Sequence, residues 1–148
     1  MSQIAIIRMK GKFSLSPKVR CTLKSFSLNR LYACTLVPSN ESMLGMLQIC
    51  KDVVSYGEVD EQTVHMLLSR RGMTKDNKKL SLSKKPDEIA KLAKEISASG
   101  KKMSEFGVLQ IFSLAPPRGG LAHGRKLHVP TGIIGKNKGI CELIASMA

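Results

Sequence analysis

The stretch PPRGGLAHGRK, Pro116 to Lys126, packs two prolines, three glycines, two arginines, one lysine and one histidine into eleven positions without an acid. Pro116 and Pro117 remove two backbone donors, and Gly119-Gly120 has no preferred conformation, so the segment is expected to be a loop. A Gly-rich backbone can press its N–H groups against an anion while Arg118, Arg125 and Lys126 supply positive charge, which is the chemistry of phosphate binding. A solvated basic turn has the same composition, and these residues alone leave both readings open.

A second Gly-rich element, GIIGKNKG, runs from Gly132 to Gly139. It is not a nucleotide-hydrolysing phosphate loop: Lys136 is followed by Asn137 rather than Ser or Thr, and no glycine lies five residues before Gly135. Gly139 at a helix start would leave free N–H groups beside Lys136 and Lys138, an arrangement that suits a backbone phosphate. His123 and His128 lie in a span, Phe106 to Gly139, that contains no carboxylate. A metal ligand or general base needs an acidic partner to orient its imidazole, so both are expected to touch phosphate or solvent. His65 reads as a packing or edge residue. The four cysteines, Cys21, Cys34, Cys50 and Cys141, are widely separated with no C-x-x-C pair. That spacing points to buried free thiols in a reducing compartment rather than a metal site. No nucleophile-base-acid set or carboxylate pair can be assembled, so neither enzyme activity nor a cofactor is expected.

Lys and Arg number 24 against 11 acids, a formal charge of +13 with a pI near 9.9, and such a surplus calls for a polyanion, usually nucleic acid. Nineteen of the 24 fall in three patches: seven from Arg8 to Arg30 (Arg8, Lys10, Lys12, Lys18, Arg20, Lys24, Arg30), seven from Arg70 to Lys85, and five from Arg118 to Lys138. Aromatics are 4% and Trp is absent, which weakens any reading built on stacking exposed bases against aromatic platforms, so single-stranded RNA reading is not favoured. Hydrophobic residues make up 43%, but no apolar run approaches the roughly 18 residues of a membrane span.

These residues must be positioned by a small set of elements. Gln3 to Lys10 reads as a strand; Ser16 caps a helix from Pro17 to about Leu28, with Val19, Leu23 and Phe26 inward and Lys18, Arg20 and Lys24 outward. Leu31 to Val37 is a second strand. A helix follows with an apolar stripe from Met43 through Cys50 to Val53 and Val54, its methionines serving as core filler, and Ser55 to Val59 is a short third strand. Asp60 opens a helix stopped by Gly72, Met73 to Lys85 lacks any period and reads as a loop, and Pro86 to Gly100 is helical. Val108 to Leu114 is a strand, and Gly139 to Met147 a last helix. The order of elements is β-α-β-α-β, then α-α-β, a long loop and α: an α+β class with a small sheet covered by helices, in which the late strand could extend the sheet or pack beside it.

Four stretches, IAIIRMKGK, CTLVPSNESMLGML with KDVVSYGEVDEQT, PPRGG after a strand, and a glycine-containing turn leading into ELIASM, together resemble the large-subunit ribosomal protein family called L-thirty in bacteria and archaea and L-seven in eukaryotes, in its longer form. The resemblance implies a β-α-β-α-β RNA-binding core over residues 1–60, a three-stranded sheet covered by two helices with some likeness to the ferredoxin-like fold, an α/β extension over 61–148, and a structural, non-enzymatic role in the cytoplasmic large ribosomal subunit. Its implied partners are large-subunit rRNA near 5S rRNA and neighbouring ribosomal proteins, with no membrane or small-molecule substrate. By residue it extends to Pro116, Pro117, Arg118, Gly119 and Gly120, and to Gly45, Met46, Lys51, Asp52 and Gly57. Leu44 stands where members commonly carry arginine, Ala115 where a basic or polar residue is usual, and PTG (130–132) replaces Glu-Gly-Gly. The RNA-contacting set expected on these grounds is Arg8, Lys10, Lys12, Lys18, Arg20, Lys24, Arg30, Arg118, Gly119, Gly120, His123, Arg125, Lys126, Lys136 and Lys138. An assembly factor or RNA chaperone on a similar fold is the competing expectation, and a phosphate-handling enzyme a distant third.

Overall fold

A computed structural model describes residues 3–13, 15–74, 78–83, 86–99, 103–121 and 127–148. Strand β1 (Gln3–Arg8) lies at the centre of a sheet, with β2 (Ala33–Pro38) and β3 (Val54–Val59) antiparallel on either side. Helix α1 (Pro17–Ser25) connects β1 to β2, and α2 (Glu41–Cys50) carries the chain across β1 from β2 to β3. This is the expected β-α-β-α-β core. The sheet is wider than the expected three strands: β4 (Ile111–Ser113) pairs antiparallel with β2, and β5 (Gly135–Lys136) pairs parallel with β3, giving the order β4-β2-β1-β3-β5. The late strand therefore extends the sheet, and β5 is an addition that two residues of Gly-Lys could not announce by pattern.

Alternation along β1 divides its side chains between two cores. Ile4 and Ile6 join Leu23 and Phe26 of α1 and Leu47 and Cys50 of α2 on one face. Ala5 and Ile7 face the other way, against α3 (Glu61–Arg71), α5 (Pro86–Ser99) and α6 (Ile140–Met147), where Val64, Leu67, Leu68, Ile89, Ile96, Ile140 and Ile144 are buried. All six residues of β1 are buried, as a strand covered on both faces must be. Gln3 shares the second face, and its buried amide donates to the Ile96 carbonyl at 3.0 Å, tying α5 to the sheet.

Several local expectations hold for identifiable reasons. Ser16 caps α1, its Oγ accepting from the Val19 N–H at 3.4 Å. The helix stops at Ser25, earlier than expected, because Ser27 adopts φ 60° and the Leu28 and Ser27 N–H groups turn back onto the Leu23 and Lys24 carbonyls, both at 2.8 Å. Val53 and Val54 do not extend the stripe of α2: the chain leaves the helix after Cys50, and Val54 begins β3. Only Leu47 and Cys50 of α2 are fully buried, while Leu44 and Ile49 are exposed. The segment expected to be a loop after Gly72 contains a bridge between Met73 and Lys79 and a single turn of helix, α4 (Leu80–Ser83), because Leu80 is fully buried in the second core.

Cys34 and Cys50 are buried, as expected, but Cys21 is exposed and Cys141 half-buried. Burial pushes the Cys34 thiol up to about 12 and that of Cys50 up to about 11. Thiol alkylation of the native protein should therefore modify Cys21 rapidly and leave Cys34 and Cys50 untouched until denaturant is added, as mass mapping of labelled peptides would record.

Two glycines of the KDVVSYGE and NESMLGML blocks have opposite roles. A Cβ at Gly57 would strike the Asn137 carbonyl oxygen and crowd Ile140, so β3 must lack a side chain where the C-terminal segment crosses it. Gly45, inside α2, has nothing within 4 Å of its missing Cβ. Gly57→Ala should lower stability by about 1–3 kcal/mol through overpacking, whereas Gly45→Ala should raise it by about 0.5–1 kcal/mol through helix propensity; urea unfolding measures both.

Candidate nucleic-acid interface

Strand pairing shows where the basic patches end up. Arg8 is opposite Val54, Ala33 opposite Ser113, and Ser55 opposite Gly135, so one end of the sheet collects the segment leaving β1, the turn before β2, the entry to β3 and the exit from β4. Lys10 and Lys12 follow β1 there, and Arg30 precedes β2. Arg118 lies just beyond β4, and Arg70 and Arg71 close α3, which starts from the opposite end of β3 and runs back. A groove lined by Arg30, Asn29, Met73 and Leu109 brings the first and second patches side by side. The other end, where Gln3 meets Pro38 and Val59, carries Glu41, Glu58, Asp60 and Glu61. The molecule is thus polarised along its strands, cationic at the Arg8 end and acidic at the Gln3 end.

Lys10 is half-buried, while Lys12, Lys18, Arg20, Lys24, Arg30, Arg118, Lys136 and Lys138 are exposed. Lys12, Arg20 and Lys24 surround one cavity of about 510 Å³ between α1 and the segment after β1. Lys136 and Lys138 are not part of this end: β5 runs away from it along the sheet edge, with Lys136 opposite Tyr56, midway along β3. His123, Arg125 and Lys126 lie outside the described residues.

Arg8 corrects the expectation of a surface cation. It is 4% exposed, and its guanidinium donates to the carbonyls of Leu28 at 2.7 Å, Lys10 at 2.9 Å and Gly11 at 3.0 Å. Desolvation lowers its pKa from the ordinary value, and these three charge-assisted bonds offset that cost. Arg8 therefore clamps the segment after β1 to the end of α1 and positions the basic loops. Its location was readable from the alternation Ile4, Ile6, Arg8, which assigns it to the α1 and α2 face.

The PPRGG loop also has a different internal logic from the one expected. The Ala115 and Arg118 N–H groups donate to the carbonyls of Met147 and Ser146 at 2.9 and 3.1 Å, satisfying acceptors left over at the end of α6. Residue 118 thereby sits at the negative end of that helix, a favourable place for a cation. Gly119 and Gly120 have φ 81° and 78°, and Gly120 N–H closes a turn onto Pro117 at 3.1 Å. Open space surrounds both missing Cβ positions, so the turn conformation, and not close approach within the protein, calls for glycine here.

At the head of α6 the Gly139 N–H is taken by Asn137 Oδ1 at 2.9 Å, and Glu142 lies in the first turn, so Gly139 itself is not a free donor. His128 does have an acidic partner, supplied from far away in sequence: its Nε2 lies 3.4 Å from Asp52 Oδ1, both side chains exposed. Among the described residues no three His, Cys, Asp or Glu side chains gather to hold a metal, and no helix is long and apolar enough to cross a membrane. Local composition also failed to single out Asp52, Asn29 and Phe13, which reach their positions only through tertiary folding.

Both faces of the sheet are filled, and Lys12, Arg20 and Lys24 rim the cavity beside α1. A model of the family described as Ribosomal protein L30p/L7e matches residues 4–54. The chain is 36% identical to the large ribosomal subunit protein uL30 of Archaeoglobus fulgidus, over 88% of this chain and 90% of that protein. It is 32% identical to the uL30 proteins of Methanothrix thermoacetophila and Methanosphaera stadtmanae, in both cases over 97% of this chain and 98% of theirs. The chain belongs to the L30p/L7e family of ribosomal proteins.

Replacing Arg8 by Met strands three carbonyls and should destabilise the fold by about 2–4 kcal/mol, with much less effect on the salt dependence of RNA binding than loss of an exposed cation. Thermal unfolding together with a salt titration separates the two effects.

Proposed function

We propose that this protein is a structural component of the large ribosomal subunit in the cytoplasm, with its Arg8 end laid against folded rRNA close to 5S rRNA. The observation that carries the RNA contact is the convergence of the basic loops at one end of the sheet in a chain of this family. Lys10, Lys12, Arg20, Lys24, Arg30 and Arg118 neutralise phosphates there, while the PPRGG turn holds residue 118 in place. Phosphate, 2′-hydroxyl and shape carry most of the recognition, because the major groove of folded RNA is too narrow for side chains to read. Lys136 and Lys138 on the β5 side provide further contacts. Neighbouring ribosomal proteins complete the surroundings.

Binding to large-subunit rRNA fragments should fall roughly 10³- to 10⁵-fold between about 50 and 200 mM salt if six to ten phosphates are engaged. Replacing Arg30 or Arg118 by Ala should each reduce the slope of log affinity against log salt by about 1. A flat salt response, or sedimentation with precursor particles only, counts against the structural role; crosslinks away from 5S rRNA count against the placement.

A further inference from the structure

The cavity of about 510 Å³ beside α1 differs from the other basic surfaces in having depth and an apolar floor. Leu15 and Leu23 form part of that floor; Lys12, Arg20 and Lys24 stand around it, and none of its described lining residues is an acid. Phe13 is at its lip with 95% of its surface exposed. The walls are held from below: the Arg8 guanidinium bonds both the segment after β1, through the Lys10 and Gly11 carbonyls, and the end of α1, through Leu28. The cavity is thus preformed, which spares a ligand the cost of ordering it.

An apolar, aromatic-lipped hole inside a ring of cations fits a ligand that is flat and apolar at one end and anionic at the other. Its volume falls in the range of about 300–1,000 Å³ found for small-ligand sites, ample for one nucleotide. We infer that this cavity captures a single unstacked rRNA nucleotide, its base against Phe13 and the leucine floor and its flanking phosphates on Lys12, Arg20 and Lys24. The inference rests on the rRNA-binding role proposed above and adds a specific site to it. Few aromatics are needed, because one ring placed beside a preformed cavity suffices for one base, and bases of any identity present a π-face to it.

The test compares two RNA hairpins of equal length and charge density, one carrying a single bulged 2-aminopurine and one fully paired, binding to the full chain. The bulged hairpin is expected to bind more tightly, with a change in 2-aminopurine fluorescence on capture. Phe13→Ala should erase that preference, weakening the bulged complex by roughly fivefold or more, the low end of what one stacked base contributes, while paired-stem binding stays constant. Phe13→Tyr should retain the preference. Because Phe13 is almost fully exposed, neither change threatens the fold. Equal binding of both hairpins by the unaltered protein, or equal weakening of both by Phe13→Ala, overturns the capture site while leaving phosphate-mediated rRNA binding intact. Binding to neither hairpin overturns both.

Discussion

Strand β1 is buried on both sides, and the rest of the architecture follows from that constraint. Its backbone is paired to β2 and β3, its even-numbered side chains belong to one core and its odd-numbered ones to the other. With α1 and α2 over one face and α3, α5 and α6 over the other, the sheet has no open face to offer a ligand. Exposed cations gather on loops at one set of strand ends, where the chain must reverse direction and charge does not interrupt the packing, and four carboxylates, Glu41, Glu58, Asp60 and Glu61, lie at the other.

The gathering of basic loops also sets up an electrostatic problem. A chain with a formal charge of +13 repels itself, and crowding basic loops together at one end concentrates the repulsion there. Part of the local cost is met internally: Arg8 is held by three carbonyls, and residue 118 lies at the negative end of α6. The repulsion among the remaining exposed cations is eased by salt, which screens them.

Much of this was legible from the sequence, wherever a residue's role is set by its near neighbours. The period of two in β1, the Ser16-Pro17 start of α1 and the helical spacing of Ile89, Ala93 and Ile96 located their elements. The opening Pro-Pro and Gly-Gly pairs marked a turn. What escaped was set by distant partners. Leu80 forms a helical turn because a core made largely by α3 and α5 is there to receive it; β5 exists because β3 offers an unpaired edge; His128 meets Asp52 across the fold. At the site, exposure of Lys18, Arg20 and Lys24 followed from helix geometry. Bringing the first two patches and Arg118 to one end required the strand order, and no single stretch contains that.

Gly57 receives the residues before α6 against β3, and Asp52, a few positions earlier, meets His128 of the same returning segment. The part of the chain made late is therefore seated on the part made early. A nascent polypeptide that has just completed β3 has one side of β1 sealed by α1 and α2 and the other still open to water, with Ala5 and Ile7 uncovered until α3 and then α6 emerge. During that interval the incomplete molecule is a half-closed sandwich with a greasy underside, left open by the order in which its helices appear.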